Sequence, residues 1–158
     1  MEKSIYGVAA TNMACRPGVL KTTVATYDGH MLGRYTMYRG KRPEDDPRPE
    51  GKRQDSRKHT NHCLRPTKEM VTRYQEDRAH YPWGQFEKDY LVTLDQRFHE
   101  DSTPFDDLAS LARKTDVYIG CSCPTKKNPN VHNCHTVLAL RFMHKHYPDL
   151  EIEVPARK

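Results

Sequence analysis

The sequence predicts a single α/β domain of Rossmann-like type, with a small, mainly parallel sheet and one long charged loop. Three observations carry this. β-prone runs lie near both ends of the chain, with amphipathic helical stretches between them. The last large unit reads as a buried strand, a Cys/His-rich loop and a helix. The chain has 158 residues and an apolar fraction of 35%, which supplies one core and not two.

In chain order, Ser4–Ala10 and Lys21–Tyr27 read as strands, the second rich in β-branched residues and closed by Asp28-Gly29. The segment between them, broken by Pro17-Gly18, is too short for a full crossover helix. From Gly40 to His62 no apolar residue occurs, and nine Lys and Arg fall between Arg39 and Arg65. Such a stretch cannot bury enough surface to offset its ordering entropy, which predicts a mobile charged loop over 40–62. That loop is either an electrostatic arm for an anionic partner or a solvated insertion.

The helical part opens at Pro66-Thr67, with Met70, Val71 and Tyr74 sharing a face. A second helix starts at Pro82 and carries Phe86, Tyr90, Leu94 and Phe98 at a spacing of four, which is a core stripe. In the third, Thr103 caps, Pro104 takes the first helical position and Asp106 and Asp107 suit the positive end of the dipole. Asp116–Cys121 then reads as a buried strand, about Asn133 to His146 as a helix, and Leu150–Val154 as a half-exposed final strand.

The stretch Gly120–His135 holds three of the five cysteines and two of the nine histidines. Its place between a strand end and a helix start is where open α/β sheets bind ligands. With Asn133, Cys134 and His135 in the first helical turn, the N-terminal N–H groups attract anions, and Lys126 and Lys127 add charge of the same sign. The same position favours the thiolate of Cys134 as a nucleophile, with His132 and His135 as proton carriers. A zinc site is the other reading. Cys121 and Cys123 point to one side of an extended chain, and Cys134 and His135 complete a tetrahedral set, although C-x-C is not the usual C-x2-C knuckle. A third reading leaves Cys121 and Cys134 as core residues.

The formal charge of +5 reads equally as a preference for anionic partners such as nucleotides, nucleic acid or phosphorylated metabolites and as a solvated, mildly basic surface. No stretch reaches membrane-spanning length and the N-terminus has no apolar signal-like run, so the expectation is a cytoplasmic protein with reduced thiols.

Five stretches stand in order along the chain: Arg65-Pro66-Thr67-Lys68-Glu69, Trp83-Gly84-Gln85-Phe86-Glu87-Lys88-Asp89-Tyr90, Phe105-Asp106-Asp107-Leu108, Val117–Cys123 and His132-Asn133-Cys134-His135. On these the chain resembles the YeaO-like family of small domains of unknown function. Departures are Tyr27-Asp28-Gly29 where the family often has Arg-Gly, Thr136 where it often has Arg, and the long charged excursion. The resemblance implies the fold and the place of the site but no activity. A looser likeness to nucleotide-processing Rossmann-like domains implies a nucleotide or nucleic-acid ligand. The leading expectation is therefore an enzyme acting at a glycosidic or phosphate-bearing group of such a ligand. The alternative is a non-enzymatic, zinc-containing nucleic-acid-binding module.

Overall fold

The structure is a computed structural model that describes residues 29–156. The expected strands Ser4–Ala10 and Lys21–Tyr27 lie outside the described residues. Within them the elements run β1 (Leu32–Thr36), β2 (Lys52–Asp55), α1 (Lys68–Glu76), α2 (Trp83–Glu100), α3 (Thr103–Lys114), β3 (Val117–Cys121) and α4 (His135–His146). The three strands form one parallel sheet in the order β1-β3-β2. The fold is thus mixed α/β with a small parallel sheet, as expected.

β3 is the central strand because it alone is apolar enough to be covered on both faces; Val117 and Ile119 are fully buried. Leu32 pairs with Val117 on one side and Lys52 with Val117 on the other. β2 differs from the mobile loop expected over 40–62. Its sequence, Lys-Arg-Gln-Asp, has no apolar side chain, yet as an edge strand it needs only backbone partners. Gly51 leads into it at φ 132°, where a Cβ would lie 2.6 Å from the Asp116 carbonyl oxygen. Lys52 N–H then donates to that oxygen, and Ser56 N–H closes the strand on Gly120 O. β1 is absent from the expected set. Leu150–Val154 is reduced to a single parallel bridge between Leu32 and Ile152, which extends the sheet beyond β1.

The helices follow the apolar stripes. Thr67 caps α1 by accepting from Met70 N–H. Pro82 is the cap of α2 and not its first helical residue, and Ser102 precedes α3, so that Thr103 is helical. Phe86, Tyr90 and Leu94 are buried beside Phe105, Leu108, Leu138 and Phe142 in one core. Phe98, the last residue of the expected stripe, is partly buried against it. Tyr90 O–H and the Arg97 guanidinium reach from α2 to the carbonyls of Leu64, Cys63 and Arg65. They tie the end of the charged stretch to the helices. Among the described residues no helix is long and apolar enough to cross a membrane.

Candidate active site

Where β3 ends and α4 begins, the chain turns through Ser122–Asn133. Asn128, which is buried, organises the turn. Its amide donates to Asn133 O (2.6 Å) and to the Cys123 sulfur (3.3 Å), and its own N–H is taken up by Thr125. Arg78 of the loop after α1 donates to Lys127 O while lying over the Tyr74 ring. The Cys123-Pro124 peptide is cis.

This turn brings Cys121, Cys123 and Cys134 together, with their sulfur atoms all within 4.8 Å of one another. Cys134 is the cap of α4 and not part of its first turn, because Val137 N–H closes on Cys134 O and the helix proper begins at His135. The residue is 2% exposed. It accepts a hydrogen bond from Thr136 O–H at 3.2 Å, and Thr136 in turn accepts one from the Arg34 guanidinium at 2.8 Å. A cation thus acts on the sulfur through one hydroxyl. Arg34 and Thr36 also hold Cys123 O, at 2.7 and 2.9 Å, so β1 braces both ends of the C-x-C pair.

The three thiols divide the work unequally. Hydrogen bonds from Cys121 and Cys123, with a smaller contribution from His135, hold the Cys134 thiol well below its ordinary range despite burial. Cys121 is pushed up by its hydrogen bonds to Cys123 and Cys134 and by burial. Cys123 is pulled down by the Cys121 hydrogen bond, but its own bond to Cys134 and burial outweigh that and carry it to about 11. Within the cluster the hydrogen bonds thus favour the ionised form at Cys134, with the other two thiols as donors. Cys63, raised by burial to about 11, is inert by contrast.

His135 Nδ1 lies 4.0 Å from the Cys134 sulfur, and its Nε2 lies 3.0 Å from the buried Ser56 hydroxyl. The edge of Tyr90 packs on the ring, centroids 5.8 Å apart. His132 turns away from the thiols; its Nε2 meets Ala156 O at 3.1 Å, and it is not among the cavity-lining residues.

The thiols open on a cavity of about 680 Å³. Cys121, Cys123, Cys134 and His135 line one part, and Tyr74, Trp83 and Phe86 another. The aromatic rings form a continuous wall, with Trp83 stacked on Phe86 at 5.1 Å and Tyr74 edge-on to Trp83 at 5.6 Å. Lys126, Lys127 and Asn133, the anticipated anion-binding residues, all line the same cavity, joined by Lys58 and Arg57. Arg57 is held by a two-pronged contact to Asp55, at 3.0 and 2.9 Å. That contact keeps the Asp55 carboxyl below its usual range.

Cys121, Cys123 and Cys134 are the residues that could hold a metal. Ligand sulfurs around tetrahedral zinc stand about 3.8 Å apart, given Zn–S bonds of about 2.3 Å. The described residues grouped within ligand distance are the three thiols without His135.

Ser56, Thr136, Arg34 and the aromatic wall carry no sequence signal as site residues. Ser56 follows a polar strand, Phe86 reads as core, and Trp83 enters only through the family resemblance. Comparison of the chain with protein-family profiles, with curated proteins and with solved structures finds no match.

Proposed function

We propose that this chain is a Rossmann-like cytoplasmic enzyme that acts on a nucleotide, free or within nucleic acid, with the Cys134 thiolate as attacking group. The observation that carries the reading is the meeting of three chemistries in one cavity. A thiol whose hydrogen bonds favour its ionised form, a stack of aromatic rings and the ammonium groups of Lys58, Lys126 and Lys127 all line it. Aromatic faces take a base by stacking, and ammonium groups take a phosphate. A thiolate next to them attacks an electrophilic carbon or phosphorus of the bound group, and His135 returns the proton to the departing atom. The resemblance to YeaO-like domains belongs to this proposal, since its five motifs fall on the starts of α1, α2 and α3, on β3 and on the loop into α4.

Trp83 is the chain's single tryptophan and lines the cavity, so its fluorescence reports occupancy directly. Adenosine monophosphate should quench it, with adenosine or inorganic phosphate alone binding about tenfold more weakly, a difference of roughly 1.4 kcal/mol. The nucleotide should also slow alkylation of Cys134 by iodoacetamide. In a screen of nucleotides and single-stranded oligonucleotides, any released base or phosphate should vanish in Cys134→Ala while binding, read by quenching, is kept. Absence of both quenching and protection would remove the proposal.

A second reading rests on the spacing of the three sulfurs. As zinc ligands they would make a three-thiolate site in a nucleic-acid-binding module, and the ion would release the thiol protons on binding. Elemental analysis of untagged protein separates the readings: about one zinc per chain supports the second, and none removes it.

A further inference from the structure

We propose that the ligand of this cavity presents two or more phosphate groups in a row beside its base, and that cations delivered by the ends of all three strands hold that row. The inference rests on the reading of the cavity as a nucleotide site and names the class of nucleotide it takes.

The sheet itself places the charges. Its three strands are parallel, so their carboxyl ends lie at one edge; register sets Thr36 of β1 opposite Cys121 and Asp55 of β2 opposite Gly120. Each strand then runs into a stretch that brings a cation to the cavity. Arg39 follows β1, Arg57 and Lys58 follow β2, and Lys126 and Lys127 follow β3. Neighbouring strands stand about 4.8 Å apart, so the three strand ends span about 10 Å. A lone phosphate is held best by donors that converge on one point, whereas cations fanned out along a sheet edge match a row of anions.

The balance of charge points the same way. Among the described residues no Asp or Glu lines the cavity. Arg57 is already paired with Asp55 at 2.9 Å. Arg39, Lys58, Lys126 and Lys127 meet no carboxylate among the described residues, so their charges remain for a ligand. A terminal phosphate carries about −1.5 to −2 at neutral pH, which answers only part of them. Each further phosphate along a chain or strand adds about one negative charge. The two lysines after β3 sit on a turn that is closed by paired bonds between Thr125 and Asn128 and pinned by Arg78 on Lys127 O. Their mutual repulsion is thus built into the backbone and is relieved when anions lie beside them. A nucleoside di- or triphosphate and the 5′-phosphorylated end of a single strand both offer this chemistry, a base followed by phosphates in sequence.

The test follows Trp83 fluorescence of the full chain without added divalent metal, titrated with AMP, ADP, ATP and a 5′-phosphorylated adenosine dinucleotide. ADP or the dinucleotide should bind about tenfold or more tightly than AMP, and should lose affinity more steeply as salt rises. Replacing Lys126→Gln with Lys127→Gln, and separately Arg39→Gln with Lys58→Gln, should each cut that advantage to about threefold or less. If neither ADP nor the dinucleotide binds more tightly than AMP, the inference is overturned while the nucleotide reading stands on AMP. An advantage that survives both pairs of substitutions overturns it equally. If tripolyphosphate displaces ADP as well as ATP does, the base contributes nothing; the nucleotide reading then falls and the phosphate row stands. ADP binding more tightly than the dinucleotide assigns a free nucleotide, and the reverse order assigns a strand end; either supports the row.

Discussion

The strand-to-helix segment Val117–His135 and the charged stretch 40–62 meet in the same site by opposite means. The first is held by its side chains: Val117, Ile119, Cys121 and Cys134 are buried, and Asn128 ties the turn from within. The second has no apolar side chain to bury, and it is held through its main chain, by Gly51 against Asp116 and by β2 against β3. Absence of apolar residues rules out a core for a segment, but an apolar neighbour strand can still order it. The backbone bonds come from the neighbour, and the charged side chains keep the outer edge in water. The polar region then delivers a fully buried hydroxyl to the site, that of Ser56.

The sharpest way to break this contrast is Gly51→Val. The substituent would meet backbone at 2.6 Å in a conformation that β-branched residues do not adopt, so the loss should be about 3 kcal/mol or more in urea denaturation. If stability is unchanged, the charged stretch is not held where β2 puts it.

Nearly as large an effect should come from acid. Burial is the main cause that lowers His62 to about 4, with His135 and Arg65 acting in the same sense and Asp55 opposing. Its ring is held neutral, with Nδ1 accepting from Leu64 N–H and Nε2 within 2.7 Å of Gln54. The unfolded chain therefore binds a proton between about pH 6.5 and 4 that the folded chain does not. Stability present above pH 6.5 should fall by roughly 3 kcal/mol across that window. His62→Gln should flatten this slope; an identical slope would assign the loss to other groups.

Thr136→Val tests the apolar side of the comparison at constant shape. It removes the hydroxyl that joins Arg34 to the Cys134 sulfur and leaves the Arg34 Nε without that acceptor. A loss of about 2 kcal/mol is expected, together with a rise in the pH at which Cys134 alkylates. The smallest effect should come from Arg113→Ala. The Arg113–Asp149 pair is close, at 2.7 Å, but exposed, and should change stability by less than about 0.5 kcal/mol.

The elements legible in the sequence are those whose side chains bear the pattern. The stripe Phe86, Tyr90, Leu94 marks α2 and the run at Val117 marks β3, since burial there repeats at the period of the element. Thr103 and Pro82 misplace helix starts by a single residue, because neighbouring positions differ little in capping strength. β2 is illegible because its stabilising bonds come from a strand whose sequence lies 65 residues further on, Lys52 opposite Val117. The cysteine cluster was visible as spacing, and the structure brings Cys121, Cys123 and Cys134 together with Lys126, Lys127 and His135 around one cavity. The burial of Ser56 was not visible, since a serine in a polar run carries no pattern until its partner Gly120 is placed beside it.

The strand order has a consequence for how the chain is assembled. β1 and β2 flank β3 without pairing to each other, so this sheet has no ladder until its middle strand is present. Leu32 must wait for Val117, 85 residues later in the sequence, while the helices between them need only local contacts. During synthesis the helical stretches emerge first, and the thiols, the imidazole and the hydroxyl remain scattered along the nascent polypeptide. The three sulfurs are therefore brought together last, by the same event that completes the sheet.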